Sequence, residues 1–320
     1  MVKFRLQPKP CTGSTVGSSG MCLAQFECKQ TGGRADGTCA SGFGVCCIQE
    51  AKCGSVVQHN DTYLVNDGYP MKTSSIMNCV YNIHKINDNI CQLRLDFETL
   101  VLAGPNDQSI CREDKLSVLS PAEGPSVIIC GTNSGKHMYV EMGRGQGSAR
   151  VSIGLTSSNL DRGWRIRVSQ IACNSPYRAP ENCLQYYTDY TATIESFNFK
   201  NIDGVHQIGG LQYTICIRAK EGVCGIRYTS NTFSVSGNGA PGAGPSALSG
   251  DTSCIKDFLM IPSLSQPPST ATSPDRYCGT SFAERSTYSK PFQIRLVTDE
   301  NETGDTANRG FSLTYTQIPC

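Results

Sequence analysis

Eighteen cysteines in 320 residues constrain this chain more than any other feature. They fall as three sets of six. The first is crowded: Cys11, Cys22, Cys28, Cys39 and the adjacent Cys46 and Cys47. The second runs Cys53, Cys79, Cys91, Cys111, Cys130, Cys173, and the third Cys183, Cys216, Cys224, Cys254, Cys278, Cys320. An even count in such groups implies a disulfide framework made in an oxidising compartment. Zinc and redox chemistry fit poorly. No Cys-x-x-Cys pair occurs, and His59, His84, His137 and His206 lie at no metal-ligand spacing from paired thiols.

The length suits two or three domains. A hydrophobic content of 38% is low for one large core and suits several small stapled ones. A net charge of +1 gives no electrostatic case for nucleic acid or an anionic membrane. No apolar run approaches the length of a membrane span. Residues 1–10 lack the hydrophobic stretch of a signal peptide. A secreted chain is therefore expected to begin after a removed signal or on an added methionine. Asn60-Asp61-Thr62 and Asn301-Glu302-Thr303 are N-glycosylation sequons, in keeping with secretion.

The second and third cysteine sets are in register. Asn78-Cys79-Val80-Tyr81 answers Thr214-Ile215-Cys216-Ile217, and Ile90-Cys91-Gln92-Leu93 answers Val223-Cys224-Gly225-Ile226. Cys111-Arg112-Glu113-Asp114 answers Cys254-Ile255-Lys256-Asp257, and Cys130-Gly131-Thr132 answers Cys278-Gly279-Thr280. Gly163-Trp164 and Gly310-Phe311 each open a last strand that closes on a cysteine. The period within these segments is that of β-structure. Cys91, Leu93, Leu95 and Phe97 alternate with Gln92, Arg94 and Asp96, and Trp164, Ile166 and Val168 alternate with Arg165, Arg167 and Ser169. One face is expected to be apolar and the other wet. Asn87-Asp88-Asn89 and Lys220-Glu221-Gly222 read as hairpin turns. No long segment shows a 3.6-residue period, so an all-β chain with a repeated antiparallel sandwich follows.

On these motifs, each copy resembles a CUB domain, an extracellular jelly-roll-like β-sandwich. The match rests on Cys53, Cys79, Cys111 to Asp114, Cys130-Gly131 and Gly163-Trp164, and on Cys183, Cys216, Cys254 to Asp257, Cys278-Gly279 and Gly310-Phe311. The resemblance implies the bonds Cys53–Cys79, Cys111–Cys130, Cys183–Cys216 and Cys254–Cys278. It leaves Cys91 with Cys173 and Cys224 with Cys320. A Cys216–Cys224 bond across a tight turn competes in the second copy. The first set resembles a clip domain, a small disulfide knot, which implies Cys11–Cys46, Cys22–Cys39 and Cys28–Cys47. The expected layout is a knot over residues 1–52 and CUB-like sandwiches over 53–173 and 174–320.

Catalysis is not signalled. Gly-Asp-Ser-Gly-Gly is absent, and no Gly-x-Ser-x-Gly stands in a strand–turn–helix setting. Gly143-Arg144-Gly145-Gln146-Gly147 lacks the Lys-Ser/Thr of a phosphate loop and reads as a surface turn. Many CUB domains hold calcium with one Glu and two Asp, as that hard cation requires. Here the Glu is replaced by Ala103 in the first copy and by Ser236 or Gly237 in the second. Asp114 and Asp257 remain, read mainly as turn-capping acids, and Asp299 adds a second acid in the second copy only. Asp257 and Asp299 are the weak calcium candidates; no other cofactor is expected. Arg162, Arg165 and Arg167 read as an exposed basic stripe. The Gly/Ser/Pro-rich stretches 234–253 and 262–275 read as flexible insertions. The reading is a secreted, non-enzymatic recognition or adaptor protein that binds an extracellular protein or glycan. Its rival is a non-catalytic regulatory chain of an arthropod serine-protease cascade.

Overall fold

A computed structural model describes residues 6–122, 127–145, 147–158, 160–235, 247–249, 253–262, 275–300 and 308–320. The N-terminal knot contains β1 (Lys9–Thr12), β2 (Ser19–Leu23), α1 (Gln25–Gln30), β3 (Arg34–Cys39) and β4 (Gly44–Ala51). A first sandwich follows with β5 (Val56–Val57), β6 (Thr62–Val65), β7 (Met77–His84), β8 (Ile90–Val101), β9 (Asp114–Leu119), β10 (Val127–Ile129), β11 (His137–Glu141), β12 (Ser148–Leu155) and β13 (Gly163–Ala172). The second has β14 (Cys183–Tyr187), β15 (Thr191–Glu195), β16 (Gln212–Ile217), β17 (Val223–Ser234), β18 (Ala247–Ser249), β19 (Phe258–Met260), β20 (Arg276–Gly279), β21 (Arg285–Thr287), β22 (Phe292–Val297) and β23 (Gly310–Pro319).

The two sandwiches share one topology. Sheet β10-β9-β12-β7-β5 of the first corresponds to β20-β19-β22-β16-β14 of the second, which adds β18 at its edge. Facing them are β6-β13-β8-β11 and β15-β23-β17-β21. The knot is spliced onto the first of these facing sheets. The start of β4 pairs with β2 and β3, and its end, Gln49–Ala51, pairs in parallel with β6.

Alternation places the core. In β13, Trp164, Ile166 and Val168 are fully buried between the sheets, while Arg165, Arg167 and Ser169 face outward. Burying the one tryptophan requires a partner for its N–H, which is donated to the Tyr81 hydroxyl at 2.8 Å; that hydroxyl donates to the Val65 carbonyl at 2.7 Å. Most of the buried apolar residues of both sandwiches form one cluster. It continues across the junction through Phe97 and Phe197, whose ring centroids are 6.5 Å apart.

Two expectations need correction. Asn87-Asp88-Asn89 and Lys220-Glu221-Gly222 do not close hairpins. β7 and β8 lie in opposite sheets, as do β16 and β17, so each turn carries the chain across the sandwich. A turn motif marks where the chain reverses and leaves open which sheet receives it. Gln92, expected on the wet face, is wholly buried. The second sandwich covers that end of the sheet.

All eighteen cysteines are bonded, and no bond joins one set to another. The knot has Cys11–Cys46, Cys22–Cys39 and Cys28–Cys47. The first sandwich has Cys53–Cys79, Cys91–Cys173 and Cys111–Cys130, the second Cys183–Cys216, Cys224–Cys320 and Cys254–Cys278. Cys216 thus bonds Cys183, not Cys224. Cys91–Cys173 and Cys224–Cys320 tie the end of each terminal strand to the start of its neighbour, across 82 and 96 residues. In the chain-entropy account such long loops contribute about 4–5 kcal/mol each. The Cys224→Ala/Cys320→Ala double variant is expected to lose about that much in urea unfolding; a loss below about 1 kcal/mol contradicts it.

Candidate functional site

The sandwiches meet edge to edge, β11 against β14, with side chains of one reading the backbone of the other. Gln92 accepts the Ala179 N–H at 2.9 Å and donates to the Ala179 carbonyl at 3.3 Å and to Glu141 at 2.6 Å. Asn133 accepts the Asn198 N–H at 2.7 Å, and Asn198 accepts the Thr132 N–H at 2.9 Å. The Tyr186 N–H donates to His137 Nε2 at 3.0 Å. Lys136 pairs with Glu195 at 3.0 Å. Gly131 permits this approach. Its φ is +77°, and a Cβ there would lie 1.9 Å from the Asn198 side-chain oxygen.

Beside this junction is a cleft of about 450 Å³ whose walls come from both sandwiches. Val118, Met138 and Leu184 contribute apolar surface, and Asn182, Gln212 and Arg295 expose polar groups around it. Tyr139 and Tyr213 line it as well, each largely buried. Its size is that of a small-ligand pocket or a seat for one or two side chains of a partner.

Arg162 departs from expectation. It precedes β13 and is wholly buried. Its Nε and one terminal nitrogen donate to the two Asp114 oxygens at 2.7 and 2.9 Å, and its other terminal nitrogen donates to the Leu160 carbonyl at 2.8 Å. Asp114 also accepts the Ala103 N–H at 2.7 Å. It is therefore one half of a buried ion pair, with both oxygens committed. Arg165 and Arg167 do face outward, but each is held. Arg165 bonds Glu98 at 2.6 Å with its guanidinium 3.8 Å from the Tyr63 ring centre, and Arg167 bonds Asp61 at 2.7 Å.

Asp257 has a different setting. It accepts the Gln207 amide at 2.9 Å and the Asp299 N–H at 2.7 Å. Gln207 is buried, and its side-chain oxygen has no hydrogen-bond partner among the described residues. Asp299 reaches Asp257 through its backbone N–H, and among the described residues no three acidic, histidine or cysteine side chains gather as a metal site. Ser236, Gly237, Asn301 and most of the two insertions lie outside the described residues; Ala247–Ser249 form strand β18. Asn60 accepts the Gln170 N–H at 2.6 Å through its oxygen, while its nitrogen makes only a 3.4 Å contact to Asp61. A glycan on that nitrogen leaves the shorter bond intact. At the glycine-rich turn, Lys85 takes the Gly143 and Gly145 carbonyls at 2.7 Å each. Those carbonyls face a cation, opposite to the N–H groups that cradle a phosphate.

Sequence reasoning missed Gln92, Asn133 and Asn198, since nothing local marks a polar residue that will meet another sandwich. His137, an isolated imidazole in the apolar run Met138-Tyr139-Val140, was the nearest to a signal. Asp114→Ala is expected to lower stability by about 3–5 kcal/mol in denaturant melts by stranding a buried guanidinium, and Asp114→Leu/Arg162→Met to recover most of it. Calorimetric titration addresses the second site: heat at millimolar calcium that Asp257→Ala abolishes supports it, and no heat removes it.

Residues 180–318, which contain the second sandwich, match the Animal CUB domain family. No curated protein matches the chain. Solved structures similar to it include the CUB1-EGF-CUB2 domains of rat MASP-1, at 17% identity over 84% of this chain and 100% of that one, with a TM-score of 0.30. The human MASP-1/3 CUB1-EGF-CUB2 domain is 17% identical over 81% of this chain and 100% of its own, TM-score 0.29. The MASP-1 CUB2 domain bound to Ca2+ is 18% identical over 37% of this chain and 98% of its own, TM-score 0.30. The second sandwich of this all-β chain therefore carries the animal CUB pattern, and with it the expectation of an extracellular, protein-binding role.

Proposed function

We propose that the chain is a secreted, non-enzymatic recognition protein that seats a segment of a partner protein in the cleft between its sandwiches. The observation that carries this is the cleft's composite wall. Val118 and Met138 come from one sandwich, Leu184 and Arg295 from the other, so the site exists only when both are docked. The match of residues 180–318 to a module generally used for binding supports it, as do nine disulfides in an oxidising compartment.

The rival, a regulatory chain of a protease cascade, is favoured by the knot. Phe26 and Phe43 there are 69% and 83% exposed and are open to a partner. Partners recovered from extracellular fluid by the immobilised full chain separate the two readings. Loss of a partner by tenfold or more with Arg295→Glu, at an unchanged melting temperature, supports the cleft. Capture of a clip-bearing protease that depends on Phe26 and Phe43 supports the rival. Labelling by a serine-hydrolase probe contradicts both.

A further inference from the structure

We propose that the junction between the sandwiches is an acid-operated latch with His137 as its trigger, so that the shared cleft opens and releases its partner on acidification. His137 is 6% exposed and stands where β11 meets β14. Its Nε2 accepts the Tyr186 N–H, so that nitrogen must keep its lone pair. The ring lies edge-on to Tyr187 and Tyr139, with centroids at 4.9 and 5.6 Å. Protonation would set one N–H against another and leave a cation in a site from which water is excluded.

The charges around it offer little relief. From β8 come Arg94 and Asp96, which bond each other at 2.8 Å. From β15 comes Glu195, already paired with Lys136. β14 presents the phenols of Tyr186 and Tyr187, the latter pushed up to about 12 by burial and then by Glu195, and β11 presents Tyr139, also raised by burial. Burial first, then the Arg94 charge, lowers His137 to about 4, against smaller opposing effects of Asp96 and of the Tyr186 backbone contact.

The sign follows from linkage. The docked state holds this imidazole below its ordinary value of about 6.5, so it binds fewer protons than the undocked state. Docking weakens as pH falls below about 6.5, and the full effect is present once pH is below about 4. Between pH 7.5 and 5 the undocking constant rises about 30-fold. Met138 and Leu184, both in the cleft, lie within two residues of the contact, so undocking parts the cleft's walls.

Hydrogen exchange on the intact chain tests the latch at three amides that donate across the junction: Tyr186, Ala179 and Asn198. Corrected for intrinsic rates, their protection is expected to fall together by about 30-fold from pH 7.5 to 5. Val168, inside its sheet, should not change, and His137→Gln should flatten the response. Unchanged protection, a fall at Tyr186 alone, or the same fall in His137→Gln overturns the proposal. Where that variant docks poorly at neutral pH, the wild-type imidazole titration decides. A midpoint near 4 supports the latch, and a midpoint above 6 with Tyr186 still protected overturns it. The release step rests on the cleft reading. If all three amides open but a captured partner stays bound at pH 5, the latch stands and the cleft reading falls.

Discussion

Side-chain amides and one imidazole, aimed at backbone groups of the neighbouring sandwich, hold this molecule in a single shape. Strands β11 and β14 are both sheet edges, and an open edge offers unpaired N–H and C=O groups to any passing strand. The two edges here do not pair as a ladder. Instead Gln92 answers the peptide at Ala179, Asn133 and Asn198 answer each other's loops, and His137 answers Tyr186. Each such contact is specific in a way that apolar packing is not, because a misaligned amide leaves buried polar groups unpaired. The cleft is a by-product of that alignment.

Beneath the junction, covalent closure makes small cores sufficient. Each sandwich returns its last strand to the middle of a sheet and bonds its end to the neighbouring strand, at Cys91–Cys173 and Cys224–Cys320. The knot is too small for a core of its own. It borrows one by running β4 onto β6, where Tyr63 and Val65 pack with Cys46 and Ile48. The two copies have nevertheless diverged. Where the first pairs Asp114 with the buried guanidinium of Arg162, the second sets Asp257 against the Gln207 amide and the Asp299 N–H.

Much of the fold was legible because strand alternation and cysteine spacing are local properties. Trp164, Ile166 and Val168 announce a half-buried strand from four neighbours alone. What failed were statements about which surfaces meet. Arg162 looked like a third member of a solvent stripe with Arg165 and Arg167. It lies before the strand begins, out of phase with them, and its partner is 48 residues away. Gln92 has the right parity for solvent and is buried only because a second sandwich docks there. The cleft was illegible for the same reason: its walls are joined by no motif, only by the docking of one copy on another.

With these contacts in place, the two sandwiches form one rigid body in solution. Residual dipolar couplings measured for backbone amides of both sandwiches at neutral pH test it directly. One alignment tensor is expected to fit both sets, with β11 of the first sandwich against β14 of the second. Two tensors of clearly different magnitude would show independent motion and contradict it.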